Sequence, residues 1–403
     1  MDLKSGYPFW AVKNGLMQAF PPLRTDLRCE VAVIGGGITG ALIADELSSH
    51  GIDVAVFEQR DIAWGSTAAS TALLQYEIDT PMATLARQYG EDNAVLAYRA
   101  CAEAIPLLQA KARSLRDVDF ARVQSLYYAS RRRHVDDLRE EFALRRKHGF
   151  DLQWLSAEAL DERFQLKAPA ALLTALAASV DPYRFCYRLF GRLQRRGVSV
   201  HDRTAIERIT PTPRGVDLVT AQGHAIRAGH VVMAAGYANQ RWLRHKVASN
   251  RSSYAFITDP LPAGQLDFLT DTVLWETARP YLYLRTTGDN RLLVGGQDDT
   301  IDVPARRDAR VEKKTRKLVK QVQALFPQLP VQPAFSWAGT FAETDDGLPF
   351  FGAHPDSGKR VLLAMAYGGN GITYSAIGAG IIRAAIQRQP HPLAQLFSFN
   401  RID

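Results

Sequence analysis

Along the chain, apolar residues come first in short unbroken runs and then at helical or alternating spacing, and each change marks an element. Val31-Ala32-Val33-Ile34 is an unbroken apolar run that reads as a buried strand. Over Ala41–Ser48 the apolar residues Leu42, Ile43 and Leu47 share a helix face, and Gly51 ends the pattern. Val54 to Phe57 is a second apolar run. Strand, helix, strand is a βαβ unit, the start of an α/β domain.

Further on, residues 80–115 predict helices and Val123–Ser130 a strand. Residues 135–148 predict an amphipathic helix. Asp181-Pro182 opens another helix that ends at Gly197, with strands at 198–201, 206–211, 215–220 and 227–236. From 251 the pattern changes. SSYAFIT, DTVLWE, PYLYLR and RLLVGG are β-rich pieces, and Gly288-Asp289-Asn290 joins the last two as a hairpin. These predict an antiparallel sheet. One long basic helix is expected over 308–326, a strand over 335–341, and a final strand (361–367), glycine turn (368–371) and apolar helix (375–386).

The first βαβ unit also carries chemistry. Gly35, Gly37 and Gly40 make G-x-G-x-x-G between strand and helix, and Glu58 follows Gly40 by eighteen residues at the tip of the second strand. Gly35 permits the turn. Gly37, lacking Cβ, lets a diphosphate approach the backbone, and Gly40 lets the helix pack closely. Free N–H groups at the helix start favour an anion. A carboxylate at Glu58 suits ribose hydroxyls and repels a 2′-phosphate. The dinucleotide is therefore FAD or NAD rather than NADP.

At 403 residues, 46% apolar and 23% charged, the chain suits two globular domains. The net charge of +7 gathers in Arg131–Arg133, Arg145–Lys147 and Lys313–Lys317. No aromatic residues interleave these runs, which argues for solvated helix faces and against nucleic acid. Cysteines 29, 101 and 186 form no C-x-x-C pair, which fits a reducing compartment, and no spacing of His, Cys, Asp or Glu suggests a metal. With no apolar leader and no run of about 18 apolar residues, the expected location is the cytoplasm.

With these residues in view, the chain resembles the D-amino acid oxidase superfamily of FAD-dependent oxidoreductases, the glycine, sarcosine and γ-glutamylputrescine oxidase-like branches included. The resemblance rests on VAVIGGGITG with Glu58, Gly65-Ser66-Thr67, Val231–Gly236, Thr344–Gly352 and Gly368–Gly371, with Phe9-Trp10 and Pro21-Pro22 ahead of them. It implies a two-domain fold: a Rossmann-like α/β FAD-binding domain (1–80, 152–245, 338–403) with an inserted substrate domain built on an antiparallel sheet (81–151, 246–337). It implies that Gly35, Gly37, Ile38, Thr39, Gly40, Glu58 and Gln59 hold the ADP half of FAD. Ser66, Thr67 and Thr71 would run along the diphosphate and ribityl chain, Ile206 would face adenine, and Ala235 and Gly236 would close over the dinucleotide. Gly369, Asn370, Gly371, Ile372 and Thr373 would meet the flavin edge.

The departures are informative. The Gly65–Ala72 segment has no histidine and the late glycine turn no cysteine, so FAD is expected to be non-covalent. Sarcosine oxidase-like members clamp a substrate carboxylate with an arginine and a lysine where this chain has Gln75 and Thr373, and place an oxygen-activating lysine near Leu293. The resemblance thus implies oxidation of an amine or amino acid C–N bond by hydride transfer to flavin N5, with oxygen or another acceptor closing the cycle. The period-two strand Pro280–Arg285 puts Tyr281, Tyr283 and Arg285 on one face as substrate-site candidates. Tyr254, Gln75, Glu77 and Thr373 join them, with Arg279 or Arg285 as a substitute carboxylate clamp. The alternatives are an FAD-dependent tRNA-modification enzyme and a flavin-binding sensor or scaffold without turnover.

Overall fold

A computed structural model describes residues 2–6, 8–365 and 368–402. Two large sheets organise them. In the first, five parallel strands run in the order Val361–Met365, Ala225–Met233, Leu27–Ile34, Val54–Phe57, Ser199–His201. Phe350–Ala353 adds an antiparallel edge, and the hairpin Ile206–Pro211/Val216–Thr220 pairs with the near half of Ala225–Met233. The unbroken apolar runs have a simple cause: Val31–Ile34, Val54–Phe57 and Val361–Met365 are buried on both faces. Helix Ile38–Ser49 packs between Pro182–Arg195 and Gly371–Gln387. The strand expected to end at 367 is seen to Met365, since Ala366 and Tyr367 lie outside the described residues.

The second sheet is mixed. Its order is Pro333–Glu343, Ser249–Thr258, Leu292–Asp299, Leu282–Thr286, Thr272–Glu276, Ala121–Tyr128, Ala170–Ser179, Leu73–Gln75, with Gln153–Ser156 also on Ala170–Ser179. It is not purely antiparallel as expected, because Ala121–Tyr128 and Thr272–Glu276, far apart in sequence, pair in parallel. Alternation splits its two faces. Tyr254, Phe256, Leu282, Leu284, Leu292 and Val294 pack under helix Val311–Leu325, against Leu318 and Val322. Ala255, Ile257, Tyr283 and Leu293 face the other way, toward the first sheet's domain.

Sheet membership moves the expected boundaries. The strand Ala170–Ser179 has the small, unbroken apolar pattern of a buried strand, yet it pairs in the second sheet, as do Leu73–Gln75 and all of Pro333–Glu343. The basic helix starts at Val311, not 308. Pro304–Asp308 is a separate turn, turned inward because the buried Arg307 donates to the carbonyls of Asp2 and Lys4.

Candidate active site

A single elongated cavity runs from Glu58, past the first glycine turn, to the second sheet. At its first end, Gly35 has φ +126°, and a Cβ there would lie 2.3 Å from the Ala234 carbonyl oxygen. A Cβ on Gly37 would approach Thr67 Oγ1, on the cavity wall, to 3.1 Å. Gly40 lies behind the wall, where a Cβ would meet the Gly35 oxygen at 2.0 Å. Glu58 Oε2 accepts the Gly36 N–H at 2.7 Å, and Oε1 the Arg60 N–H at 2.9 Å. Burial pushes this carboxyl above its usual range, and the two N–H groups pull it back. Ile38, Thr39, Gln59, Ala235 and Gly236 line the same stretch. A closely approachable glycine turn beside a half-buried carboxylate fits the ADP half of FAD.

The segment Trp64–Gln75 forms the long wall, with Ser66, Thr67 and Thr71 on it. Two indoles fix it: Trp10 Nε1, behind the wall, donates to the Ser70 carbonyl at 2.8 Å, and Trp337 Nε1, itself on the lining, to the Ala69 carbonyl at 2.9 Å. Thr67 Oγ1 in turn accepts the Ile38 N–H at 3.0 Å, joining wall and helix start. Neither indole's role was legible in the sequence, although Phe9-Trp10 stood out there.

The late glycine turn closes the opposite side. Its helix begins at Gly371, four residues before the apolar pattern suggested, because glycine, Ile372 and Thr373 continue the helical turn. Gly369, Asn370, Gly371, Ile372 and Thr373 all line the cavity. The Asn370 side chain donates to the Glu77 carbonyl at 2.7 Å, and Thr373 Oγ1 to the Gln75 carbonyl at 3.4 Å. The Gly369 N–H donates to Asp79 Oδ2 at 2.6 Å. Thr373 therefore holds the strand that carries Gln75.

The far end is aromatic and anionic. Trp275, Tyr281, Tyr283, Gln75, Asp79 and Asp298 line it. Trp275 stacks on Tyr127 at 3.8 Å and meets Tyr281 edge-on at 6.0 Å. Tyr283 Oη lies 3.1 Å from Ser253 Oγ. Burial, and next the Asp298 carboxylate, push the Tyr283 phenol up to about 12. The Asp298 carboxyl is pushed up to about 7 by burial; the Ser253 hydroxyl opposes this, and Asp79 and Glu343 reinforce it.

Several expected residues are elsewhere. Tyr254 points to the opposite face of its strand and donates to Asp299 at 3.2 Å; its neighbours Ser253 and Ala255 are the cavity residues. Alternation within SSYAFIT carried that information, but a tyrosine is the more conspicuous residue. Arg285 shares its face with Tyr283 but lies beyond the cavity, donating to the carbonyls of Thr71 (2.8 Å) and Val180 (3.1 Å), so it cannot serve as a carboxylate clamp. Burial pulls its guanidinium down to about 10. Glu77 is buried against Ser125 and 3.7 Å from Arg145, away from the cavity. Ile206 packs with Val216 and Leu218 and is not on the wall. Arg279 is exposed at the rim, stacked over Tyr281 and donating to the Asp79 carbonyl. Asp79, Asp298, Ser253 and Trp275 were missed.

A family model described as FAD dependent oxidoreductase (DAO) matches residues 30–385. The chain belongs to this family. Its cofactor is FAD, and it is a flavin-dependent oxidoreductase. The chain is 26% identical to glycine oxidase of Geobacillus kaustophilus over 90% of its own length and 94% of that protein's. The crystal structure of that oxidase superposes with a TM-score of 0.77, covering 92% of this chain and 98% of the other. Gamma-glutamylputrescine oxidoreductase of Escherichia coli is 24% identical, over 93% of this chain and 87% of the relative. L-proline dehydrogenase from P. horikoshii shares the fold with a TM-score of 0.79 at 18% identity, covering 94% and 98%. Among the described residues no helix of this flavoprotein is long and apolar enough to cross a membrane.

Proposed function

We propose that this flavoprotein oxidises the C–N bond of a small amine or amino acid. The observation that carries the reading is the continuity of the cavity: one channel joins the Gly35–Gly37 turn and Glu58 to the aromatic end at Trp275, Tyr281 and Tyr283. Such a channel fits a dinucleotide whose reactive ring lies at the aromatic end. Bound FAD would supply a two-electron acceptor for the hydride leaving the carbon next to nitrogen.

The chain's own residues have defined tasks in this scheme. Glu58 and the helix start hold the ADP half. Thr67 and the 66–72 wall, braced by Trp10 and Trp337, hold the diphosphate and ribityl chain. Asn370 and Thr373 fix the strand that presents Gln75. The aromatic end excludes water and orients the substrate carbon, which is most of what such a reaction asks of a protein. No histidine or cysteine is among the described lining residues, which supports non-covalent FAD.

The test is anaerobic mixing of purified yellow protein with a panel of amines and amino acids. Bleaching of the flavin by at least one of them is expected. A flavin reducible by dithionite but by no member of the panel would overturn the reading.

A further inference from the structure

A β-bulge decides which acid enters the cavity. Along Leu292–Asp299, Leu293 and Gly295 face the cavity side, so simple alternation would send Gln297 and Asp299 there too. The pairing with Ser249–Thr258 slips between Ser252 and Tyr254. Gly296 (φ +130°) and Gln297 (φ +52°) take the irregular conformations, and only glycine fits at 296, where a Cβ would lie 1.8 Å from the Tyr281 carbonyl oxygen. Parity is thereby inverted. Asp298 enters the cavity, while Asp299 turns to the other face.

The two neighbouring acids then meet opposite environments. Asp299 accepts from Tyr254 and pairs with Arg310 at 3.0 Å and Lys314 at 3.3 Å. Asp298 has the Ser253 hydroxyl near it, which favours its ionised form. Its Oδ1 is shut off from solvent and has no hydrogen-bond partner among the described residues. The other charges facing it are the carboxylates of Asp79 and Glu343 and, from the rim, the guanidinium of Arg279. Glu343 already pairs with Arg251, and Asp79 accepts the Gly369 N–H. Of the described lining residues the one cation is Arg60, at the Glu58 end. A half-buried carboxylate in an enclosed cavity without a counter-ion is unfavourable unless something from outside supplies the charge. The rings of Trp275, Tyr281 and Tyr283 around it suit a cation as well.

We infer that Asp298 is the counter-ion for the ammonium group of the substrate, and that the site takes cationic amines in preference to amino acids held by their carboxylate. The inference rests on the oxidoreductase reading above and names its substrate class. An α-carboxylate entering this end would face Asp298 and Asp79 with no arginine or lysine on the wall. The ammonium ion, by contrast, can pair with the part of the Asp298 carboxylate that lines the cavity, and its proton can pass to that carboxylate, leaving the neutral amine needed for C–H cleavage.

The test uses a matched pair of unreactive probes, n-butylguanidinium and the neutral n-butylurea, titrated into FAD-loaded protein and followed by the flavin difference spectrum and calorimetry. At pH 8 the cation should bind at least tenfold more tightly than the urea, and Asp298→Asn should abolish the difference while keeping flavin content and dithionite reduction unchanged. Guanidinium stays charged throughout, so its affinity for the unmodified protein should rise about tenfold from pH 5.5 to 8.5; this arm stands even if the variant does not fold. Equal binding of the two probes, a pH-independent affinity, or a preference that survives Asp298→Asn would each overturn the inference. A flavin that no amine or amino acid of the panel reduces, in protein that still tells the two probes apart, would overturn the oxidoreductase reading instead, so the two failures are distinguishable.

Discussion

The carboxylate of Glu58 accepts the Gly36 N–H at 2.7 Å, so the acid proposed to face the ribose also braces the glycine turn proposed to face the diphosphate. The bracing is close: a Cβ on Gly36 would lie 2.7 Å from the Glu58 Cβ. Glu58→Gln preserves shape but places an NH2 group where one of two backbone N–H groups, from Gly36 or Arg60, needs an acceptor. A charge-assisted hydrogen bond of this kind is worth roughly 1.5–3 kcal/mol. FAD affinity should therefore fall by about one to two orders of magnitude, and the apoprotein should also melt earlier. Titration of the apoprotein with FAD, with thermal melts of the same samples, checks both. Weakened FAD binding with an unchanged apoprotein melt would mean the bracing contributes nothing.

Gly295 lies under the Tyr283 ring, where a Cβ would come within 2.3 Å of ring carbon Cε2. Gly295→Ala must push that ring into the cavity and away from Ser253. The expected result is a rise in KM for amine substrates of about tenfold, the scale of 1.4 kcal/mol, with a smaller effect on FAD affinity because the ADP half is held at the remote end. Steady-state kinetics beside an FAD titration separates the two quantities. Loss of FAD with unchanged KM would place Tyr283 outside the substrate end.

Arg285 joins three segments: its guanidinium donates to Thr71 and Val180 and lies 5.4 Å from the Trp10 ring. Arg285→Met takes this donor from three carbonyls, those of Thr71, Val180 and Thr286, at roughly 1–3 kcal/mol for each that stays buried and unpaired. Lower thermal stability and weaker FAD retention are expected, with the relative kcat/KM for amines and amino acids unchanged. A selective loss of activity on carboxylate substrates would restore the clamp role that its place in the strand first suggested.

What the sequence disclosed follows from where local patterns carry the physics. The βαβ unit was legible almost to the residue, since glycine geometry, buried apolar runs and a terminal acid are all local. The cavity's far end was legible only in part. Tyr281 and Tyr283 followed from alternation, but Asp298 did not, because a bulge at Gly296-Gln297 inverts the parity and its cause, the slip against Ser252–Tyr254, lies in a partner strand. The strand Ala170–Ser179 was hidden for a similar reason: its place in the second sheet is set by Ala121–Tyr128, distant in sequence. Arg285 was read by its chemistry, whereas its neighbours decide its use.

Leu293 is fully buried and pairs across the sheet with Arg285; by the resemblance to sarcosine oxidase-like proteins, an oxygen-activating lysine would fall near it. The described lining residues of the aromatic end include no lysine to favour electron transfer to oxygen. Reduced flavin should reoxidise slowly in air, and a dye acceptor should support faster turnover than oxygen. Sarcosine and glycine should reduce the flavin poorly, since Gln75 and Thr373 offer their carboxylate no charge. Stopped-flow reoxidation and peroxide assays check this, and rapid peroxide release from sarcosine would contradict it.

The raised carboxyl of Asp298 also sets a stability trend with pH. Its folded value, about 7, lies above the ordinary 3.8. The folded state therefore holds this proton more tightly than the unfolded chain. The resulting stabilisation is fully present below pH 4, declines as pH rises toward 7, and is gone above it, where the half-buried carboxylate is ionised without a counter-ion. Asp298→Asn removes that penalty, so with no amine bound the variant should gain stability relative to the unmodified protein as pH rises. The gain should be small at pH 5 and about 1–3 kcal/mol at pH 8, discounted from the full shift for relaxation, or a melting temperature about 1–4 °C higher. A saturating cationic amine should reverse the order at pH 8, because only the unmodified protein gains from binding it. Thermal melts of both FAD-loaded proteins at the two pH values, with and without n-butylguanidinium, measure every part of this. A variant that melts lower at pH 8 without the cation would mean that Asp298 is held by partners of its own and is not waiting for one.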